Sequence, residues 1–430
     1  MTYEEARSYL DYVNKNGIIL GLESMEHLLE ELGNPQDRLK FIHIAGTNGK
    51  GSVLAYLSTI LKEAGYRVGR YISPTLFSYR ERIQVNEEYI SREAVGSYVE
   101  KIQQAVGRMQ KKGMSVPTIF EVETAMAFLY FVDQSCDIVV LETGMGGDTD
   151  ATNVIRTTVM EVIVSISKDH TAFLGNTLAE IARHKAGIIK PGTVVVSARQ
   201  VLEAMKVIEE KARQCGATLK VADWEQAEEI TYGLEEQTFS FGSDRNIRIH
   251  LGGSYQIKNA VIALNCIYAL RELGYQISDV QMRAGFAHTR WNGRFTVLQK
   301  DPMVIIDGAH NPDGAAELEK SILQCLQGKQ IYGICGVFKD KEYDKVLQAI
   351  LPHMKEVTTI QTPGNPRALP AEELAEAAQK YCHQVHAEKN IVKAVQEAIQ
   401  KAGEDDGVVL AFGSLSFLGE IRKAVKHTQE

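Results

Sequence analysis

The sequence predicts a two-domain α/β protein built on parallel sheets. Three observations predict it. The chain has 430 residues, more than one ordinary core uses. Short apolar runs alternate with longer runs of helical period through most of it. The connections between them are short, and in a βα series that gives parallel strands covered by helices. The turn-like Trp291-Asn292-Gly293-Arg294 closes a first series, and a second follows. The boundary falls near 290–300, giving domains 1–293 and 294–430. No fixed-period repeat or low-complexity tract interrupts either.

The elements follow in order. Residues 39–45 (LKFIHIA) read as a buried strand and 52–64 as a helix stopped by Gly65. A strand at 67–73, helical patterns at 92–111 and 120–133, and buried strands at 136–142 and 160–167 come next. Helix 178–187, strand 193–197 and helix 201–214 precede a β-like, turn-rich stretch at 220–253 and an amphipathic helix at 256–273. In the second domain FTVLQ, MVIIDG, IYGICG, EVTTIQT and GVVLAFG read as strands. Helical patterns at 313–326, 342–350, 371–381, 390–402 and 415–426 lie between or after them.

Composition excludes several function classes. A net charge of −8 argues against a general nucleic-acid binder, though an anionic small substrate needs only a local cationic pocket. No apolar run approaches the roughly 18 residues of a membrane span. The N-terminal MTYEEARSYLDYV is acidic and amphipathic, unlike a signal peptide. The six cysteines are scattered and form no CxxC, so a reduced, cytoplasmic protein is expected.

Four strand–turn junctions carry candidate chemistry. In FIHIAGTNGKGSVLAYL (41–57) a strand delivers a glycine-rich turn, then Lys50, then a helix. Three glycines let backbone N–H groups turn to one centre, and a helix N-terminus and a lysine favour phosphate there. The loop fails the longer pattern G-x-x-x-x-G-K-[ST], with Ile44 at the first glycine and Gly51 after the lysine. The plain alternative is a turn with a surface lysine. Glu142 ends the strand 136–142 on the same rim, where it could hold Mg²⁺ or be merely solvated. His170 follows strand 160–167 and could be a metal ligand or a surface histidine. Asp307, after MVII, could accept bonds from a ribose or an amine, or cap a helix.

Taken together the motifs resemble those of the folylpolyglutamate synthases and dihydrofolate synthases, within the Mur ligase superfamily. The resemblance covers essentially the whole chain. It is carried by HIAGTNGKGS (43–52), YISPTL (71–76), TIFE (118–121), ETGMGG with DATN (142–153), DHTAFLG (169–175), KAGIIKPG (185–192), YQIKNA (255–260), WNGRF (291–295) and DGAHNPDG (307–314). It implies an N-terminal P-loop-containing, Mur-ligase-like ATPase domain and a C-terminal Rossmann-like α/β domain, with ATP between them. The family's loop is short, which accounts for the failed pattern.

Carried over position by position, Thr47, Asn48, Gly49, Lys50, Gly51 and Ser52 would hold ATP phosphates. Ser73 and Glu142 would bind one Mg²⁺ and His170 a second. Lys185 matches the family's carbamylated lysine, a further metal ligand. Asn259, Arg294 and Asp307 fall at ATP-contacting positions, with His310 near them. Thr118, Ile119, Phe120 and Glu121, with Asp150 and Ala151, would border the pterin pocket. Lys50, His170 and Lys185 are the implied catalytic residues. Five positions depart from the family's usual residues: Asp148 for arginine, Thr149 for leucine, His184 for glutamate, Tyr255 for histidine and Asn292 for proline.

The implied activity is ATP-dependent ligation of L-glutamate to a folate carboxylate through an acyl phosphate. The acceptor is tetrahydrofolate or dihydropteroate, in a monomeric enzyme with no nucleic-acid or membrane partner. A Mur-type ligase for another carboxylate is disfavoured by TIFE and DATN, although Asp148 keeps it open. A nucleotide-binding module without chemistry is the third reading.

Overall fold

The computed structural model describes residues 1–17 and 21–429. The chain divides into two compact units, Met1–Glu225 with Asn259–His288, and Gln226–Lys258 with Thr289–Glu430. Residues 226–258 thus fall in the second unit, ahead of the boundary read from sequence. Local bonds explain it: Ser254 N donates to Ser321 Oγ at 3.0 Å, and Lys258 pairs with Glu317 at 2.8 Å.

The first unit holds an eight-stranded sheet. Its strands are β1 (Phe41–Ala45), β2 (Val68–Tyr71), β3 (Ile83–Val85), β4 (Glu88–Tyr89), β5 (Ile138–Glu142), β6 (Thr158–Ile163), β7 (Val194–Ala198) and β8 (Thr218–Ala222), in the order β4-β3-β2-β5-β1-β6-β7-β8. The β2-to-β8 body is parallel, and β3 and β4 add an antiparallel edge. The chain leaves β1 for one side of the sheet, then crosses back from β5 to β6 on the other. β1 is therefore the switch point, and a crevice opens beyond its C-terminal end.

β6 stops at Ile163, although the apolar pattern runs to 167. From Val164 the chain turns its bonds to the loop after β1, where Thr47 N donates to Ser165 O at 2.8 Å and Asn48 bridges Ser165. Four helices, Tyr3–Val13, Glu23–Glu31, Arg92–Lys111 and Ile119–Asp133, build one core, where Phe128 meets Phe41 edge-on at 5.5 Å. The helix Lys50–Glu63 has every residue from Gly51 to Leu61 buried. A helix buried all round needs a cover outside it. Helix Asp279–His288, absent from the sequence reading, supplies part of one. Tyr56 meets Phe286 at 5.3 Å, and a Cβ on Gly285 would stand 2.5 Å from Ile60 Cα.

The second unit contains a small antiparallel sheet and a larger mixed one. β9 (Glu228–Thr231), β10 (Gln237–Phe241) and β11 (Asp244–Ile249) pair in the order β11-β10-β9. β12 (Thr296–Lys300), β13 (Met303–Ile306), β14 (Ile331–Cys335), β15 (Glu356–Thr359), β16 (Val385–Ala387) and β17 (Val408–Phe412) run β12-β13-β17-β14-β15-β16. Only β12 is antiparallel to its neighbour, so this is the expected Rossmann-like α/β sheet. Among the described residues no helix is long and apolar enough to cross a membrane, and all six cysteines are free thiols.

Candidate active site

The loop after β1 lies at the switch point. Gly49 is the N-cap of helix Lys50–Glu63 at φ 98° and offers no side chain to cap it. Lys50, half-buried, curls back so that its Nζ donates to Gly46 O at 3.2 Å and Thr47 O at 3.3 Å. Lys185 Nζ donates to the same Gly46 carbonyl at 2.7 Å. Two lysines from elements 139 and 4 residues away thus converge on one oxygen. Burial, then the charge of Lys50, push Lys185 down to about 7, against the opposing pull of Asp169 and Asp150. A large fraction of this amine is therefore neutral near pH 7.

The loop is stapled from outside. Thr47 Oγ1 donates to Ser167 O at 3.0 Å and accepts from Ser167 N at 3.1 Å. Asn259, on helix Tyr255–Glu272, lies against the turn: a Cβ on Gly49 would stand 2.5 Å from its Oδ1.

Glu142 ends β5 opposite Ile44 of β1 and is buried, so it is not the solvated strand-end glutamate. Its Oε2 accepts from Ser73 N at 3.3 Å, which brings Ser73 and a carboxylate together at adjacent strand ends. Both are hard oxygen donors. Among the described residues no cluster of three His, Cys, Asp or Glu side chains forms. Mg²⁺ is usually held by one or two carboxylates plus water and phosphate. His170 is exposed, at φ 50° before the short helix Thr171–Leu174, with Nε2 4.0 Å from Asp169 Oδ2. Asp169, which the sequence reading quoted without a role, links His170 to the electrostatics of Lys185.

Much of the residue set expected beside the pterin works as scaffold. Thr118 and Glu121 form a capping box: Thr118 N and Oγ1 donate to Glu121 Oε2 at 2.6 and 2.8 Å, starting helix Ile119–Asp133. Ile119 and Phe120 stay partly exposed, and a Cβ on Gly144 would stand 2.7 Å from Phe120 Cζ, so TIFE packs on the loop after Glu142. Asp150 is buried, which raises its carboxyl, and accepts from Met145 N at 2.8 Å and Thr152 Oγ1 at 2.5 Å. Ala151 opens the turn Ala151–Val154. Behind it His43 Nε2 lies 2.8 Å from Thr152 Oγ1, and burial drives this ring down to about 3, so it is neutral. Since Thr152 gives its proton to Asp150, the imidazole N–H donates to Thr152. The motif HIAG contained this histidine, but only the tertiary contact gives it a role.

In the second unit Asp307 is an organiser and not a helix cap; Asn311 caps Pro312–Cys325. The buried Asp307 carboxylate accepts from Tyr255 OH at 2.6 Å, Phe295 N at 2.8 Å and Ala309 N at 2.8 Å. Arg294 Nη1 donates to Gly293 O at 2.9 Å, and His310 Nδ1 to Gly308 O at 2.8 Å. Asp307 and His310 lie in the turn after β13, and Arg294, from the segment before β12, packs against it: Gly308 N donates to Gly293 O at 3.0 Å, and a Cβ on Gly308 would stand 2.6 Å from Arg294 Nη1. Two of the five departures also meet: His184 Nδ1 lies 3.0 Å from both carboxylate oxygens of Asp148.

The comparisons with known proteins agree along the whole length. The Mur ligase middle domain model matches residues 44–267, and the Mur ligase glutamate ligase domain model matches 293–415. A dihydrofolate synthase/folylpolyglutamate synthase of Bacillus subtilis is 34% identical over 99% of both chains. The Mycobacterium tuberculosis folylpolyglutamate synthase, solved with ADP and AMPPCP, superposes with a TM-score of 0.88 at 32% identity, covering 99% of this chain and 98% of that one. E. coli FolC, solved with DHPP and ADP, superposes at 0.86 and 28% identity, covering 99% and 98%.

Proposed function

The chain belongs to the folylpolyglutamate synthase/dihydrofolate synthase family of Mur ligases, and from that premise we propose how its residues join L-glutamate to a folate carboxylate with ATP. A carboxylate does not condense with an amine, because oxide is too poor a leaving group. Transfer of the γ-phosphoryl group to the carboxylate gives an acyl phosphate and ADP. The glutamate amine then attacks the acyl carbon, loses a proton, and phosphate leaves.

The protein's part is positioning and charge neutralisation. The N–H groups of Gly49, Lys50, Gly51 and Ser52, at a helix N-terminus, face the phosphates. Lys50 leaves the Gly46 carbonyl to meet the γ-phosphoryl oxygens, whose charge it offsets most in the transition state. Thr47 and Asn48 keep the loop in register through Ser165 and Ser167. Two Mg²⁺ ions, when bound, would supply charge neutralisation for the phosphates. Ser73 and Glu142 would hold the first, and His170 with a carbamylated Lys185 the second. The neutral Lys185 amine adds to CO₂ through its nitrogen and releases one proton, leaving a carbamate whose oxygens can ligate where an ammonium cannot. Ile119, Phe120 and Ala151 line the pterin side, on a wall shaped by Thr118, Glu121 and Asp150. Asn259 is the first unit's candidate nucleoside contact, and Arg294, Asp307 and His310 are the second unit's.

The observation that carries this reading is the convergence of Lys50 and Lys185 on the switch-point loop, one strand away from buried Glu142. The test is ADP release by purified protein with ATP, Mg²⁺ and L-glutamate. Tetrahydrofolate, dihydropteroate and a cell-wall precursor are offered separately. ADP release that needs both glutamate and a folate supports the reading. Turnover on the cell-wall precursor alone, or ATP binding with no glutamate-dependent release, overturns it.

A further inference from the structure

We propose that Asp148, Asn153 and His184 form a clasp that positions Lys185. The inference deepens the reading above and rests on Lys185 belonging to the reacting centre. After β5 the loop 146–150 folds onto the last turn of helix Leu178–Ala186, which carries Lys185. The approach leaves no room for side chains. A Cβ on Gly147 would stand 2.6 Å from His184 O and 3.0 Å from Lys185 O, and one on Gly187 would stand 2.4 Å from Asp148 Cβ.

Polar contacts close it on both sides. Asp148 N donates to His184 O at 2.9 Å, and His184 Nδ1 reaches both Asp148 oxygens at 3.0 Å. Asn153 Nδ2 bridges loop and helix end, donating to Asp148 O at 3.0 Å and Gly187 O at 3.3 Å. Lys190 Nζ fixes the Asn153 amide, donating to its Oδ1 at 2.8 Å. Lys185 lies between the gripped residues 184 and 187, and its buried stem ends on Gly46 O at 2.7 Å. Where its nitrogen ends therefore depends on where this turn sits.

Two plainer readings compete. In the first, Asp148 contacts the folate. Its carboxylate, however, is taken by His184, and Oδ1 also accepts from Thr149 N at 2.9 Å. In the second, the pair is an ordinary ion pair, with side chains 35% and 39% exposed. Such a pair adds little to global stability. A misplacement of about 1 Å at a reacting group can still cost about 100-fold in rate. The clasp thus predicts lost turnover without lost stability.

The test compares Asp148→Ala, His184→Ala, their double variant, and the conservative His184→Asn, which keeps a donor facing Asp148. The clasp predicts about a tenfold or greater loss of kcat in each alanine variant, with folate KM and melting temperature nearly unchanged. The double variant should be no worse than the poorer single one, and His184→Asn should recover most of the loss. Hydrogen exchange on the ligand-free protein gives a readout independent of activity. Amides of 146–150 and 186–190 should exchange faster in the alanine variants and return to the wild-type rate in His184→Asn. A rise confined to folate KM, additive losses, or unchanged exchange overturns the clasp. If the wild-type protein shows no glutamate-dependent ADP release, the functional reading has failed, and exchange alone still decides the clasp.

Discussion

Lys50 and Lys185 share one acceptor, the Gly46 carbonyl, yet differ in burial, and their predicted behaviour differs accordingly. Lys50→Ala should fold normally, because the residue lies half-buried at the start of a helix, and should lose most turnover. Retention of more than about a tenth of wild-type kcat, worth only about 1.4 kcal/mol of barrier, contradicts its role. Lys185→Ala should also be inactive, but acetate or formate should restore part of its activity by replacing the carbamate oxygens. Lys185→Arg should not respond, because its cation fills the site. An active Lys185→Ala enzyme contradicts the assignment. Glu161 on β6 offers a separate check on the interior. Burial raises it from 4.5 to about 7 against the hydroxyl of Thr193 and the N–H of Lys190, at 2.6 and 3.2 Å. Between pH 4.5 and 7 the folded protein keeps this proton and the unfolded chain releases it, so stability falls as pH rises through that window. Glu161→Gln should flatten the fall and gain on the order of 3 kcal/mol above pH 7, with little change at pH 4, in denaturant titrations. Parallel pH profiles for variant and wild type would refute it. The places of Lys50 at a helix start and Glu142 at a strand end were legible in sequence, because the apolar runs beside them mark those ends. The Asp148–His184 contact was not, because 36 residues separate partners that meet only in the tertiary fold.

Among the elements, long periodic segments were legible and short or covered ones were not. Helix Arg92–Lys111 carries a continuous apolar stripe and matches its predicted limits. Strands β3 and β4, of three and two residues, are too short to show a period. Helix Asp279–His288 contains Gly285, which reads as a breaker in sequence but permits its close approach to Ile60. β6 was read four residues too long, because Val164 and Ile166 are buried for a different reason: the chain there braces the loop after β1. That bracing makes the loop intolerant of side chains. Gly49→Ala would meet both a φ of 98° and the Asn259 amide at 2.5 Å. A left-handed non-glycine residue costs about 1–2 kcal/mol, so the loop should shift and ATP KM should rise several-fold. If Gly49→Ala binds ATP like the wild type, Asn259 does not lie against the turn.

At the scale of the molecule, a chain of net charge −8 must hold anionic ATP and an anionic folate. In the reading proposed above, local arrangement resolves this: a helix N-terminus and two lysines that meet on the Gly46 carbonyl lie together at the strand where the first unit's sheet changes direction. The α/β class was legible because strand and helix periods alternate throughout. The assignment of residues 226–258 to the second unit was not, since it depends on bonds such as Ser254 to Ser321 across 67 residues. The account's central claim is that this crevice activates a carboxylate as its acyl phosphate. Isotope transfer tests it most directly. A folate acceptor labelled with ¹⁸O in the reacting carboxylate is turned over with ATP, Mg²⁺ and L-glutamate, and the released phosphate is analysed by mass spectrometry. If the carboxylate attacks the γ-phosphoryl group and glutamate then displaces phosphate, one labelled oxygen must leave with each phosphate formed. Unlabelled phosphate, or label found in AMP, would contradict the account.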